Sequence, residues 1–502
     1  MADRAALMEQ TKQILREQSY YRSVGALMSW DLWQGLSEDG RPFRNEVSGY
    51  FTRQAREHLV SRETAQVVSR LQEFPEEEWS SPYERAAAKL LIKSFQHAVR
   101  IPAALQVEMN EFTSMAQGKW RQALQQADFK AYQPYARQLF ELKRRTALAL
   151  EPHEDPFDTL IGEVDEGLNA KETGMIFSVL ATGVSKILRS VRERHAAIDN
   201  SVLSFDCEHE KKKRITLHIL EQTGFDMRKS SFFEVLHPMC TGVGPQDARV
   251  TTNYRNLFAG IFSTLHEGGH ARYNYSSNQE AQEYSLWGGI GGAMHESQSR
   301  FYENMVGKSR EFWEYFYPYV QSECPELRKI PLESFYQAVC KAAPGPRRIG
   351  ADELTYSLHP IIRFEMERDY FAGKIRIEEF EEIWNEKYRE YLGVVPQNAA
   401  QGVLQDIHWA SGHVGYFQSY ALGDLYAAQF RHKMLQDRPD AYSRVAKGDF
   451  SGINQWCLEQ IHQYGRTYTP GQMLQKATGE PLNPQYLLEY LKEKFCTTCS
   501  AV

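Results

Sequence analysis

The chain has 502 residues, of which 42% are hydrophobic and 25% charged, and its formal net charge is −7. This composition is ordinary for a soluble globular protein, and a negative charge without a basic stripe argues against nucleic-acid binding. The first residues, MADRAA, are charged and lack an apolar segment, and no run of eighteen apolar residues occurs. We therefore expect a cytoplasmic protein without a membrane partner.

Helical periodicity dominates the chain from its N-terminal part onwards. It predicts helices over residues 4–33, 83–99, 105–126 and 132–151, where helix breakers are few. Strand signals are scarce, and the best covers residues 249–252. The sequence therefore predicts a mainly α protein with very little β structure. We expect one large helical domain over residues 1–502, with a deep groove that two lobes could flank.

The segment HEGGH at residues 266–270 carries the most chemical information. On a helix, His266 and His270 lie one turn apart on the same face, so both imidazoles can reach one metal ion. Glu267 can then contact a water molecule on that metal. A zinc-type ion lowers the pKa of bound water, and a carboxylate beside it completes a hydrolytic site.

The flanking residues favour a helix that leads into this motif. Its apolar residues recur at helical spacing: they are Phe258, Ile261, Phe262 and Leu265. Thr252 or Asn253 could cap such a helix. Gly268 and Gly269 each cost about 1 kcal/mol relative to alanine inside a helix. We interpret the two glycines as a sign that the helix lines a cleft, where metal, water and substrate come close to the backbone.

A catalytic zinc needs a third protein ligand and one open coordination position. The carboxylates downstream of the motif are the candidates: Glu280, Glu283, Glu296 and Glu303. The glycine-rich stretch 288–292 can turn the chain back, and residues 293–303 are typical of a second helix. Glu296, near the start of that helix, is the ligand we favour. His295 is the alternative, but neighbours on a helix point about 100° apart, so both cannot serve equally.

Later stretches of the chain, at 347–356, 402–409 and 415–420, are rich in groups that could contact a peptide. His408, Tyr416 and Tyr420 are candidate donors to the oxyanion that peptide hydrolysis generates, or else hydrogen-bonded core residues. The forked guanidinium of Arg249 or Arg348 suits the capture of a terminal carboxylate, and ordinary ion pairs are the alternative.

Six short blocks follow one another along the chain: HPM at 237–239, DARVT at 247–251, HEGGH at 266–270, HESQ at 295–298, RRIGAD at 347–352 and GVLQDIHW at 402–409. With these blocks the chain resembles the M32 metallocarboxypeptidases, the thermostable carboxypeptidase 1 group. That family is marked by HPF, DxRxT, HExxH, HES/GQ, IRxxAD and GxxQDxHW in this order. The segment LMSWD at 27–31 also resembles the family, so the resemblance spans nearly the whole chain.

The resemblance implies a site that agrees with the spacing argument. His266, His270 and Glu296 would hold one divalent ion, Zn²⁺ in the first place, with Co²⁺ or Mn²⁺ as alternatives. Glu267 would act as general base and then as general acid, and Arg249 and His408 would take part in binding and catalysis. Tyr416 and Tyr420, which lie outside the six blocks, stay candidate catalytic residues on the argument from the residues alone. The remaining blocks would supply substrate-binding residues: His237, Asp247, Arg249, Thr251, Arg348, Asp352, Gln405 and Asp406.

The resemblance also implies an activity. Family members are mainly helical, dimeric, cytosolic enzymes that remove C-terminal residues with broad specificity and resist C-terminal proline. We therefore expect a homodimeric metallocarboxypeptidase of the EC 3.4.17 class, in which Arg348 limits substrate length. Two positions depart from the family blocks, since Met239 replaces a phenylalanine and Arg347 an isoleucine. An extra cation beside Arg348 could change the peptides, or the lengths, that fit.

Two other functions are compatible with the same residues. A groove-type oligopeptidase would cut short peptides internally with the same metal ligands, and the nature of its products would distinguish it. A catalytically silent peptide-binding protein would keep the fold alone. Against the second, no metal ligand and no base is missing from the motif.

Overall fold

The computed structural model describes residues 2–235 and 238–498. The helices are α1 Ala2–Gln34, α2 Arg41–Leu59, α3 Arg62–Glu73, α4 Pro82–Arg100, α5 Ala103–Gln126, α6 Phe129–Leu150, α7 Pro156–Val164, α8 Ala170–Ala196, α9 His209–Gln222, α10 Leu257–Tyr275, α11 Gln279–Glu283, α12 Gly292–Arg300, α13 Arg310–Glu323, α14 Leu332–Val339, α15 Leu358–Phe371, α16 Phe380–Leu392, α17 Gln418–Asp437, α18 Ala441–Val445, α19 Ser451–Gln460, α20 Pro470–Thr478 and α21 Gln485–Lys492. The strands are β1 Ser230–Glu234, β2 Met239–Gly244 and β3 Asp247–Thr252, and two π-helical segments cover Phe301–Val306 and Glu493–Thr498.

The mainly helical fold that the sequence predicts is confirmed. The four predicted N-terminal helices correspond to α1, α4, α5 and α6, and their ends differ from the predicted ones by at most three residues. The predicted strand at 249–252 belongs to β3, the central strand of a small sheet with the order β1-β3-β2. β3 pairs in parallel with β1 and antiparallel with β2, and it packs against α10.

Helix α10, which carries the HEGGH motif, begins later than the sequence suggested. The side chain of Asn256 accepts a hydrogen bond from the Ala259 amide at 3.0 Å and caps the helix. The prediction of Thr252 or Asn253 as the cap is therefore wrong. Thr252 cannot serve because it is the last residue of β3, where its backbone belongs to the sheet ladder.

The two glycines of the motif are explained by helix packing rather than by an open cleft. A Cβ at Gly269 would lie 2.7 Å from Ser299 Cα, and closer still to the carbonyl oxygen of Gln298. A Cβ at Gly268 would lie 2.9 Å from a methyl group of Leu220. Our interpretation of these glycines as cleft-lining is corrected accordingly, because it is α12 and α9 that approach the backbone here.

Helix α12 is held at its start by a buried acid from another part of the chain. The Asp165 carboxylate accepts a hydrogen bond from the Ala293 amide at 2.7 Å and one from the Ser419 hydroxyl at 2.5 Å. The helix continues as the π-helical segment Phe301–Val306, so the predicted helix at 293–303 is one element with a change of pitch. Wider turns of this kind occur often at functional sites.

The apolar residues form two separate clusters. The larger one extends from the end of α5 to the C-terminal helices, and the smaller one joins α1, α3 and α4 to residues 281–286. Two clusters are compatible with two lobes, and the organisation over residues 1–502 stays a prediction. By length and composition alone, α8 could cross a membrane, but Phe177, Leu180 and Val184 on this helix are fully buried in the larger cluster.

Replacing Gly269 by alanine tests the contact between α10 and α12. The added methyl group would overlap the α12 backbone, which cannot move as a flexible side chain can. We expect a stability loss of about 1–3 kcal/mol or more, seen as a lower melting temperature. Gly118→Ala in α5, where a Cβ meets nothing within 4 Å, is the matched control and should stabilise the protein. An unchanged melting temperature for Gly269→Ala would contradict this packing.

Candidate active site

The structure brings His266, His270 and Glu296 together, although Glu296 comes from a different helix. The Oε2 atom of Glu296 lies 3.8 Å from Nε2 of His266 and 3.6 Å from Nε2 of His270. One donor atom from each of the three side chains lies within 4.8 Å of the other two. Helix α17 closes the other side, since a Cβ at Gly423 would lie 2.7 Å from the Glu296 Cβ.

These residues fit a divalent metal ion. Two imidazole nitrogens and a carboxylate oxygen form the donor set of a catalytic zinc-type site. The separations of 3.6 and 3.8 Å are too long for hydrogen bonds, so the Glu296 oxygen is bonded to neither imidazole. All three donor atoms therefore remain available to one metal ion. Burial opposes the ionisation of Glu296, but His266 and Arg300 hold its pKa well below the usual range. The carboxylate is therefore charged and available as a ligand.

Neighbouring groups orient both imidazoles. The Nδ1 atom of His266 lies 2.9 Å from a carboxylate oxygen of Glu303, which leaves Nε2 as the lone-pair nitrogen. The Nδ1 atom of His270 lies 3.3 Å from Nδ1 of His295. Burial and the nearby His270 lower the pKa of His295 to about 3, so His295 is neutral and can accept this hydrogen bond. His295, the alternative ligand from the sequence, thus lies behind His270.

A salt-bridge network braces the carboxylates. Arg300 Nε donates to Glu296 at 2.9 Å, and its Nη1 donates to Glu303 at 3.2 Å. Lys308 donates to the other oxygen of Glu303 at 2.8 Å. The guanidinium of Arg300 stacks on Tyr356, with Cζ 3.6 Å from the ring centroid. Arg300, Lys308 and Tyr356 were not singled out from the sequence, because their spacing along the chain carries no motif.

Glu267 differs from the other carboxylates of the site. It is buried, and no hydrogen bond or ion pair holds its carboxylate within residues 2–235 and 238–498. Burial raises its pKa above the ordinary value, although His266 and His270 oppose the shift. A carboxylate without a fixed partner and with a raised pKa is suited to accept a proton.

His408, Tyr416 and Tyr420 form one aromatic cluster. The Nε2 atom of His408 lies 2.9 Å from the Tyr420 hydroxyl, and the rings of His408 and Tyr416 are 5.9 Å apart. Burial lowers the pKa of His408 to about 3, so the ring is neutral. The Tyr416 hydroxyl has no hydrogen-bond partner in the described part of the chain. Burial, followed by the charge of Glu296, raises the pKa of Tyr416 to about 12.

The block at 402–409 is tied to the one at 347–352 by buried polar contacts. Arg348 donates to Asp406 from Nε at 3.0 Å and from Nη2 at 2.8 Å. Arg363 donates to the second oxygen of Asp406 at 2.7 Å. The Gln405 side chain accepts from the Arg348 amide at 2.8 Å and donates to backbone carbonyls. Asp352 accepts hydrogen bonds from Thr355 and from the Ala343 amide.

The remaining predicted substrate-binding residues lie on the small sheet or outside the described residues. Arg249 donates to Asp247 at 2.7 and 2.8 Å. The Thr251 hydroxyl is buried and bonds to the backbone of Met239. His237 lies outside the residues that the structure describes. The substrate-binding role of all these residues stays a prediction.

A mainly helical fold with an HExxH helix and a glutamate from a following helix is typical of a metallopeptidase. The profile of the carboxypeptidase Taq (M32) metallopeptidase family matches residues 10–495. The chain therefore belongs to the M32 family, as the resemblance of its blocks predicts. It is a metallocarboxypeptidase, and its substrates are peptides.

Known relatives match the chain over nearly its whole length. Carboxypeptidase 1 of Bacillus subtilis is 34% identical over 485 residues, which are 96% of each chain. Thermostable carboxypeptidase 1 of Pyrococcus furiosus is 32% identical over 494 residues, covering 97% of this chain and 98% of its own. The crystal structure of the M32 carboxypeptidase from Deinococcus radiodurans R1 has a TM-score of 0.94 at 28% identity, with 99% of this chain and 100% of that one covered.

Replacing Glu303 by glutamine tests its support of His266. The uncharged amide would polarise the His266 imidazole less than the carboxylate does. It would also remove the negative charge to which Arg300 Nη1 and Lys308 now donate. We expect metal affinity to fall by about 10–100-fold, measured by competition with a chelator and elemental analysis. Glu280→Gln, an exposed glutamate on α11, is the matched control and should bind metal like the wild type. Equal affinity in both variants would show that Glu303 does not support the site.

Proposed function

We propose that the enzyme removes C-terminal residues from peptides with broad specificity, with a zinc ion held by His266, His270 and Glu296. The convergence of these three donor atoms is the single observation that carries the proposal. A divalent ion in this site supplies Lewis acidity, which lowers the pKa of bound water and polarises a peptide carbonyl. Co²⁺ and Mn²⁺ suit the same donors, and the family resemblance supports a cytoplasmic homodimer.

In this proposal Glu267 transfers the proton between the attacking water and the leaving amine. Its carboxylate neighbours both histidines in the motif and lacks a partner of its own in the described chain. It accepts a proton from the attacking water and delivers it to the leaving amine. The raised pKa makes the Glu267 carboxylate a stronger base towards the water. It also lets the carboxyl group hold the proton until the leaving amine accepts it.

We propose Tyr416 as the donor to the developing oxyanion. Of the three candidates, Tyr416 is the one whose side chain makes no hydrogen bond in the described residues, and the charge of Glu296 affects its pKa more than any other neighbouring group. The raised pKa keeps the hydroxyl protonated at neutral pH, as a donor must be. Tyr420 and His408 bond to each other, which supports a role in positioning Tyr416 through their ring contacts.

A time course on one N-blocked peptide tests the reaction itself. The metal-free enzyme is prepared with a chelator and restored with Zn²⁺, Co²⁺ or Mn²⁺ in turn. Single amino acids released in order from the C-terminus support the proposal, with Zn²⁺ expected to restore full activity. Internal fragments would instead support the oligopeptidase alternative.

Glu267→Gln and Glu296→Gln distinguish the base from the ligand. We expect Glu267→Gln to keep one metal ion per chain while kcat falls by at least about 100-fold, since a general base is lost. Glu296→Gln should lose metal, as measured by elemental analysis. Near-normal turnover in the first variant, or full occupancy in the second, would contradict the assignment.

Tyr416→Phe and Tyr420→Phe form a matched pair, since each removes one hydroxyl group. Losing a donor to the oxyanion lowers kcat by about 100-fold or more, which we expect for Tyr416→Phe. Tyr420→Phe should cost less, because its hydroxyl bonds to His408. A larger loss in Tyr420→Phe would move the donor role to the Tyr420–His408 pair.

A further inference from the structure

Arg22 of α1 presents unused hydrogen-bond donors in the interior. Its guanidinium stacks on the indole of Trp287, with Cζ 4.0 Å from the ring centroid. The Nε and Nη2 atoms are buried and have no hydrogen-bond partner in the structure as described. Stacking uses the flat face of the guanidinium and leaves its N–H edge free. That edge has the geometry that binds a carboxylate through two hydrogen bonds.

Arg466, which follows the turn His462–Tyr464, is a second arginine without a counter-charge. Its side chain forms no ion pair or hydrogen bond within residues 2–235 and 238–498. Burial holds the pKa of Arg466 below its ordinary value, and burial together with the charge of Arg466 lowers the pKa of Arg22 to about 9. Since arginine stays protonated in proteins, the two groups are neighbouring cations that repel each other.

Three other buried arginines near the site have acidic partners, whereas Arg272 donates to the backbone carbonyls of Thr223 and Gly224. Arg348 and Arg363 share Asp406, and Arg300 binds Glu296 and Glu303. Buried charges in proteins are normally paired, because an isolated one loses its hydration without compensation. Two neighbouring arginines without an acidic partner are therefore expected to bind an anionic ligand.

The two arginines lie beside the metal ligands. The segment that contacts both arginines, with the Leu286 carbonyl bonded to the Arg466 amide and Trp287 under Arg22, continues to Gly289, where a Cβ would overlap the Tyr273 ring and lie 2.5 Å from Nε2 of His295. The ring of Tyr273 is 5.0 Å from that of His295, and His295 contacts His270 at 3.3 Å. A peptide with its last carbonyl at the metal extends its terminal carboxylate by about one residue, roughly 3.5 Å of chain. The carboxylate therefore lies one residue from the metal, in the neighbourhood that the two arginines share with His295 and His270.

We propose that Arg22 and Arg466 bind the terminal carboxylate of the peptide substrate. The inference rests on the proposed metal site, which fixes the position of the cleaved bond. A carboxylate accepts up to four hydrogen bonds, so one anion can bind both forks and cancel their repulsion. Arg249 and Arg348, which the sequence favours for this role, already bind Asp247 and Asp406.

The test uses two N-blocked tripeptides that differ only at the C-terminus, one a free acid and the other an amide. In Arg22→Gln and Arg466→Gln we expect KM for the acid to rise at least about tenfold with a smaller change in kcat. The ratio of kcat/KM between acid and amide should fall by a similar factor. Arg16→Gln, an exposed arginine on the same helix, is the matched control and should keep the wild-type ratio.

Melting temperature provides a readout that separates binding from a structural role. Removing one of two unpaired, mutually repelling cations should leave the melting temperature of the peptide-free enzyme unchanged or raise it. A lower melting temperature in both variants, with the acid-to-amide ratio intact, would overturn the proposal.

Kinetics with and without chloride test an inorganic anion as the ligand. If chloride activates the wild type, and both variants lose that response while the acid-to-amide ratio stays at its wild-type value, the proposal is wrong. A wild-type enzyme that releases no C-terminal residue would refute the proposed function itself. A wild type that does so, with variants that match Arg16→Gln, would refute only the arginine pair.

Discussion

The active site depends on negative charge confined between two helices that touch at a glycine. Because Gly269 has no side chain, the backbone of α12 lies against α10 and brings Glu296 next to both histidines. Glu267 and Glu303 add two more carboxylates to the same space. Burial opposes protonation of His266, yet these acids raise its pKa to about 8. A cluster that attracts protons onto an imidazole in this way is suited to a divalent cation in their place.

What the sequence could predict here is local in origin. The spacing of His266 and His270 fixes a shared helix face, and helical periodicity located α1, α4, α5 and α6 to within three residues. The cap at Asn256 was missed because Thr252 has an equally suitable side chain, and only the end of β3 rules it out. The contact that explains Gly269 joins residues thirty positions apart, so no local pattern reveals it.

The arginines show most clearly why a site cannot be read from residue types alone. A guanidinium suits a substrate carboxylate and a protein carboxylate equally well, so sequence motifs drew attention to Arg249 and Arg348. In the fold both of them have an acidic partner already. Arg22 lies outside every block that resembles the family, and its significance depends on the absence of an acid near it among the described residues. Such an absence is a property of packing.

The segment that follows α11 explains how two repelling guanidinium groups stay close together. Leu286 packs in the smaller apolar cluster, and its carbonyl accepts a hydrogen bond from the Arg466 amide at 2.7 Å. Gly465, at a φ of +51°, allows this close approach, which a side chain would block. The next residue, Trp287, provides the ring on which Arg22 stacks. Both cations are thus fixed by one short segment that joins the smaller cluster to the larger one. A carboxylate bound between them would therefore connect α1 to the half of the molecule that holds the metal ligands.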